Sequence, residues 1–562
     1  MAMVDGGFLV GKALANEGVE KAFVLCGGHI MPIFYGMRNA GIEIIDMRHE
    51  CSAMYAAIAY TRASGKAAVV VTTAGPGVGN TPAGMNEAES MGIPLLHIGG
   101  AVAMSTRDAG DLQDMSTLNL MESCSKWARK ITNAERIPEY VGMAFRQAMS
   151  LPAGPVYLEI PTDLLFAQVE EEKTVFPAHH AASALPYGDP SLIDQTADML
   201  LKAQRPLLLL DDGARFDIGD CTDAIAELSD YLKIPICISG TLCRGLFGDE
   251  YANPLLKANI MGMAMADLVV SMGVRFDWRL GFGKWIPHDA KVVQVHTDAR
   301  QIGFNRPAEL GIMGGAGPVA KQLLEAVKAR REKPVDRSWI GLEGSMGGIA
   351  QLGDEYRAEG MPVHPARCAG EVCRFLEEEG RDWNLICDGG EAAVWMALAS
   401  TASRPGQIHG TGPNGTIGTG PGLVVGAWAA NGKPVLWYTG DGSFGFYAME
   451  MDTMAKRGIP VVCVISNDSA WGMIRLTECY IRPEEIKAKG HCNVELHHMR
   501  AYEKMVAMWD GYGECVNHPD EIVPAIQRAV ANGRPSIINV EVDKVSLSPM
   551  ITGYVNMIAP EN

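Results

Sequence analysis

The chain has 562 residues, 48% hydrophobic and 20% charged, with a formal net charge of −18 at pH 7. That length exceeds one hydrophobic core and predicts about three domains. The acidic balance speaks against a nucleic-acid groove, which needs clustered Lys and Arg, and no run of about 18 apolar residues offers a membrane span. Thirteen cysteines are scattered without a C-x-x-C pair or metal-ligand spacing, as expected of reduced thiols. The opening MAMVDGGFLVGKALANEGVE lacks the basic start and apolar core of a signal peptide, so a cytoplasmic location is expected.

Ala22–Leu25 is a short apolar run leading to Gly27-Gly28 and a helix-like stretch from Ile30. Ile42–Ile45 reads as a strand ahead of the small-residue helix Ala53–Tyr60. Ala67–Thr73 reads as a buried strand ending in the Gly75-Pro76-Gly77 turn, with further strands at Pro94–Gly99 and Val156–Ile160. Continuous apolar strands between helical patterns predict a parallel sheet covered on both faces. After the turn-rich passage Glu170–Gly188, strands are expected at Pro206–Leu210, Ile234–Ile238, Leu268–Met272 and Val292–His296, closing near Val327–Pro334. A last set falls near Leu385–Asp388, Pro434–Thr439, Val461–Ser466 and Ser536–Val542. The expected fold is α/β, with three doubly wound parallel-sheet domains at residues 1–175, 189–330 and 363–545.

The sharpest motif is Gly440-Asp441-Gly442-Ser443, directly after one predicted strand. Asn467-Asp468 follows the next strand, with Asp468 lying 27 residues beyond Asp441. Two neighbouring strand ends would each supply one hard oxygen, and phosphate oxygens would complete an octahedral magnesium shell. Gly440 and Gly442 let the backbone approach the phosphates, and a helix expected to start near Ser443 offers free N–H groups. An isolated Gly-Asp-Gly is a common turn; strand, turn, helix, strand and Asn-Asp together point to a metal–diphosphate site. The pattern resembles the thiamine-diphosphate (ThDP) motif of the acetolactate-synthase superfamily. That resemblance implies Asp441, Asp468 and the Ala470 carbonyl as metal ligands, Asp468 standing where the family usually has Asn. It also implies Gly390, Trp471, Gly472 and Met473 as cofactor neighbours.

Arg48-His49-Glu50 matches the family's Arg-His-Glu element. By that resemblance Glu50 hydrogen-bonds the aminopyrimidine and promotes the imino tautomer that acts as base; alone, a strand-end Glu would read as a surface residue. Thr73 to Gly77 with Asn80 resembles the loop facing the pyrimidine. Gly415-Thr416-Ile417-Gly418 resembles the segment that bends the cofactor, with Ile417 as the wedge. Gly28-His29-Ile30 and Leu112-Gln113 resemble elements of benzaldehyde lyase, implying substrate-positioning roles for His29 and Gln113. In the superfamily the Glu half and the metal half come from different subunits, which implies at least a homodimer, with a homotetramer the expected assembly.

The departures bear on substrate. Thr162 and Ala393 stand where benzaldehyde lyase has large aromatics, Met473 where it has a small residue, and Thr411 where it has a His. The implied pocket is less aromatic and leaves room for an extended acyl chain or acyl-CoA, although no Arg/Lys cluster for CoA phosphates stands out. Arg275-Phe276-Asp277 resembles a passage found in relatives with and without flavin, so FAD or ADP is not the favoured expectation. The implied function is a ThDP- and Mg2+-dependent carbon–carbon lyase/carboligase acting on a small carbonyl or acyl-CoA substrate, of 2-hydroxyacyl-CoA lyase or benzaldehyde lyase type. The alternatives are a decarboxylating carboligase using pyruvate and a non-catalytic ThDP-binding regulatory protein; retention of Glu50 speaks against the last.

Overall fold

The run Ala-Val-Val-Val-Thr at Ala68–Thr72 is buried at every position, as a strand covered on both faces requires. In the computed structural model it lies inside a parallel sheet, and the same holds for two further sheets. The structure describes residues 2–177, 184–241, 243–248, 251, 253–257, 260–337, 339, 348–549 and 551–553. Residues 178–183 of the turn-rich passage Glu170–Gly188 therefore lie outside the described residues.

The first sheet is built from β2 (Lys21–Val24), β3 (Glu43–Asp46), β4 (Ala68–Thr72), β5 (Leu95–Ala101), β6 (Trp127–Lys130) and β7 (Pro155–Pro161), while β1 (Met3–Asp5) and β8 (Gln168–Glu170) form a separate antiparallel pair. Its order is β3-β2-β4-β5-β7-β6, all parallel. The central sheet holds β9 (Pro206–Leu210), β10 (Ile236–Ile238), β11 (Leu268–Met272), β12 (Lys291–His296) and β13 (Leu310–Met313) in the order β10-β9-β11-β12-β13. The third holds β14 (Asn384–Cys387), β15 (Ile408–Gly410), β16 (Val435–Gly440), β17 (Val461–Asn467), β18 (Gly513–Val516) and β19 (Ser536–Glu541), in the order β15-β14-β16-β17-β19-β18. Three parallel-sheet α/β domains are present, as expected. Leu207, Leu208, Leu209 and Leu210 of β9 are fully buried, each contributing about 1.5–3 kcal/mol by leaving water.

The strand order reverses between β2 and β4 in the first sheet, between β9 and β11 in the central one, and between β14 and β16 in the third. Crevices at the carboxyl ends of strands at such reversals are where open α/β sheets take ligands. The chain divides into two compact units. One comprises residues 1–183 with 421–432 and 447–457; the other comprises 184–420, 433–446 and 458–562. No helix among the described residues is long and apolar enough to cross a membrane.

One buried group in the first sheet makes a pH prediction. His97 on β5 shares a 2.9 Å hydrogen bond with Thr72 Oγ1 and faces the Tyr157 ring, and burial pushes its pKa down to about 3. The unfolded chain takes up a proton near pH 6.5 that the native state refuses. His97 therefore destabilises the fold progressively as pH falls from 6.5 toward 3, by roughly 2–3 kcal/mol at pH 4.5. His97→Gln should flatten the drop in urea midpoint between pH 7 and 4.5; an equally steep drop in the variant would sink this assignment.

Candidate active site

The first half-site is assembled within the first unit. Glu50 is the first residue of the helix Glu50–Ser64, and the His49 ring caps that helix by accepting from Cys51 N at 3.1 Å. A carboxylate in the first turn suits the positive end of the helix. Glu50 is only 7% exposed, and its Oε2 accepts from Asn80 Nδ2 at 3.0 Å. Asn80 follows the short helix Pro76–Gly79, which is reached from β4 through Gly75 at φ +55°. The structure thus joins Glu50 to the loop starting at Thr73, two elements that lie apart in sequence.

Thr73 Oγ1 donates to Gln113 Oε1 at 3.2 Å. Gln113 is held at φ +67°, a left-handed conformation that non-glycine residues rarely take and that clusters at functional sites. A Cβ on Gly75 would lie 2.5 Å from the Gln113 carbonyl oxygen, so glycine is needed for that approach. His29 sits in the turn Gly28–Ile30 just past β2, where a Cβ on Gly100 would come within 3.1 Å of its own Cβ. Gln113 and Thr73 are therefore brought together, and His29 lies on the same β2/β4 reversal. Thr162 opens the helix Thr162–Phe166 after β7.

The second half-site lies at the β14/β16 reversal in the second unit. The helix after β16 spans Asp441–Tyr447, beginning at Asp441 itself rather than near Ser443 as the sequence suggested. Asp441 is 2% exposed. Burial, with the charge of Asp468 added, pushes its pKa up to about 8, and burial brings Asp468 to about 6, the two carboxyls hydrogen-bonding one another. Two neighbouring carboxylates cannot both ionise cheaply without a counter-cation, so this donor pair suits a hard divalent ion. Among the described residues no group of three or more His, Cys, Asp or Glu side chains is placed to hold a metal. An ion here would draw its remaining oxygens from elsewhere, as a diphosphate provides.

The surrounding residues leave room for such a group. A Cβ on Gly440 would meet nothing nearer than Ala392 Cβ at 3.8 Å, and Gly415 faces open space. Gly442 lies under the Trp471 ring, 2.8 Å from a would-be Cβ, and Gly472 passes so close to Asp468 that a Cβ would lie 2.1 Å from its Oδ2. Ser469 reverses the chain at φ +56°, its N–H donating to Asn467 Oδ1 at 3.0 Å, while Ala470 N donates to Asp468 Oδ1 at 3.1 Å. Ser443 Oγ would lie 3.0 Å from a Cβ on Gly389. Met473 packs its side chain on Gly390 and, like Leu398 and Leu547, against the buried pair Val394 and Ile551. Ile417 is half-buried on a loop rather than locked in the core.

Three features escaped sequence reading. Asp388, fully buried and pushed by burial up to about 6, accepts from Gly418 N at 2.9 Å and Gly420 N at 3.0 Å, which clamps the Ile417 loop to the end of β14. Trp278 Nε1 steadies the same loop by donating to the Pro413 carbonyl at 2.7 Å, just past Thr411. Glu391, beside Gly390 and Ala393, accepts from Ser548 N, and burial pushes it up to about 7. A strand-end Asp before Gly-Gly was the only available signal for the first; the others depend on distant segments.

The central reversal is lined differently. Asp211 and Asp212 follow β9, and Arg279, beyond β11, pairs with Asp277 at 2.9 Å while lying 3.5 Å from Asp211 and 3.7 Å from Asp212. Burial pushes Asp211 up to about 6. Buried carboxylates engaging that guanidinium are a poor match for the diphosphate of a flavin or adenine nucleotide.

Family models agree with this division. The thiamine pyrophosphate enzyme N-terminal TPP binding domain matches residues 4–121, the central domain 193–323 and the C-terminal TPP binding domain 388–540. The chain belongs to the thiamine pyrophosphate enzyme family. It is 28% identical over 550 residues to an acetolactate synthase large subunit IlvG of Mycobacterium tuberculosis, covering 96% of each chain. It is 27% identical over 509 residues to the human 2-hydroxyacyl-CoA lyase 2, covering 84% of this chain and 79% of the relative. A probable acetolactate synthase large subunit of Methanocaldococcus jannaschii is 26% identical over 557 residues, at 96% and 92% coverage. These relatives place this thiamine pyrophosphate enzyme in the acetolactate-synthase superfamily, among ThDP-dependent carbon–carbon lyases and carboligases.

Proposed function

We propose that the protein is a ThDP- and Mg2+-dependent lyase/carboligase that cleaves or forms 2-hydroxy carbonyl compounds, nearer to the 2-hydroxyacyl-CoA lyase type than to a pyruvate-using synthase. Bound ThDP supplies an acyl-anion equivalent at its thiazolium carbon. Glu50, fixed by Asn80, holds the proton at the aminopyrimidine ring nitrogen. Asp441, Asp468 and the Ala470 carbonyl hold the magnesium ion, and Gly440, Gly442 and Ser443 receive the diphosphate. Thr73, Asn80, Gly390, Gly415, Ile417, Trp471, Gly472 and Met473 shape the cofactor cradle. Gln113, braced by Thr73, and His29 orient the hydroxyl and carbonyl of the substrate. A homodimer is the smallest assembly in this reading, with a tetramer the expected one, because the family draws the two half-sites from different subunits.

The observation that carries the substrate preference is Glu391. The carboxylate of a 2-oxo acid brought beside Gly390 and Ala393 would require this buried acid to stay protonated, a cost that a neutral aldehyde or thioester does not carry. The Met473 cluster adds an apolar wall suited to an acyl chain. With ThDP and Mg2+ added, a 2-hydroxyacyl-CoA should release aldehyde while pyruvate releases no carbon dioxide. Rapid carbon dioxide release from pyruvate would instead place the protein in the decarboxylating branch. Turnover of neither, with ThDP bound in the same sample, would favour the regulatory alternative.

A further inference from the structure

Glu450 is a wholly buried carboxylate at the start of the helix Glu450–Arg457, within the first unit. Its Oε1 accepts from Arg48 N at 2.9 Å and His49 N at 3.0 Å, the two peptide N–H groups immediately before Glu50. Thr453 Oγ1 donates to its Oε2 at 2.8 Å, which fixes the carboxylate. The neighbouring residues hold the same two positions from outside: Asp452 pairs with the Arg48 guanidinium, and the Tyr447 ring lies 4.8 Å from that of His49.

We propose that Glu450 is a positioning residue for proton transfer, setting the Arg48–His49 backbone so that Glu50 enters its helix at the angle its Asn80 contact requires. This rests on the reading of Glu50 given above. A tether for the helix alone would not need a buried carboxylate. Lys456 and Arg457 already tie the helix to Asp46 and Glu43 at 2.6 Å and 3.0 Å on the rim, where ion pairs avoid desolvation. A buried carboxylate is tolerable only when its oxygens are hydrogen-bonded, and one oxygen of Glu450 is given over to the two amides that precede Glu50. Both amides would otherwise be left without that acceptor at the mouth of a helix.

The test uses the full chain with ThDP and Mg2+ bound. It reads four quantities: C2 proton exchange of the bound cofactor, the split between kcat and KM, cofactor affinity, and deuterium uptake at the Arg48 and His49 amides. A displacement of about 1 Å at a reacting group can cost on the order of 10²-fold in rate, so Glu450→Ala should slow C2 exchange and kcat by that order, with KM and ThDP affinity within about threefold. Deuterium uptake at the two amides should rise. Glu450→Gln keeps an oxygen that accepts the same N–H groups and should recover most of the rate. C2 exchange unchanged in Glu450→Ala, or a joint loss of cofactor affinity and rate that Glu450→Gln fails to rescue, would overturn the proposal. If Glu450→Ala does not fold, Thr453→Val takes its place: slower C2 exchange with faster uptake at both amides supports it, and no change in either overturns it. Glu50→Gln serves as the control. If C2 exchange survives in Glu50→Gln, the underlying reading fails; if it is lost there but intact in Glu450→Ala, only this inference fails.

Discussion

Glu50→Gln should yield a folded, ThDP-binding protein whose turnover falls by roughly 10²–10⁴-fold, the usual contribution of one positioned acid–base group. The substitution preserves shape and the capacity to bond Asn80, and the helix cap from His49 does not involve the side chain. What it removes is the ability to hold and return a proton. Glu50 is nearly buried, so bulk water is a poor substitute. Steady-state turnover and C2 exchange of the bound cofactor should fall together while KM stays near its original value; full activity in the variant would remove Glu50 from the mechanism.

Asp441→Ala should abolish activity by another route, through loss of the cofactor. Its carboxylate is the buried partner of the Asp441–Asp468 pair, and Ala leaves a single donor at the end of β17 where two strand ends had supplied a pair. Weakening of ThDP binding by at least about 100-fold, or about 2.7 kcal/mol, is expected. The Trp471 ring over Gly442 makes tryptophan fluorescence a direct titration signal. Asp468→Asn retains an oxygen and should change affinity by much less. Undiminished Mg2+-dependent ThDP binding by Asp441→Ala would locate the metal elsewhere.

Most strands legible in the sequence alone are central; the edge strands β3 and β10 are legible too, because each carries an apolar run of its own. β4, β9, β16 and β17 are apolar runs buried at nearly every position and stopped by Gly or Asp, which is how a strand covered on both faces reads. β6, β13, β15 and β18 went unanticipated, and all four lie at sheet edges. Trp127–Lys130 and Gly513–Val516 are short, partly exposed and charged, as edges are when they avoid pairing with other chains. The site shows the same divide. Asp441, Asp468 and Glu50 stand at strand ends within local motifs. Asp388 acts through amides 30 and 32 residues further along, and Glu450 through amides some 400 residues earlier, so no local pattern could announce them.

The chain returns to its first unit twice, at residues 421–432 and 447–457, long after leaving it at residue 183. Gly422 and Gly426 set the earlier of these returns directly on the backbone of Ser52 and Ala56. During synthesis the N-terminal sheet can therefore close its strands early but must wait for its last helix. At about 5–20 residues per second that interval is roughly 15–55 s. For most of that time, until residues 421–432 are made, the small-residue face of Glu50–Ser64 lacks the segment that covers it, which makes the nascent chain, rather than the finished enzyme, the form most exposed to chaperones and to premature association.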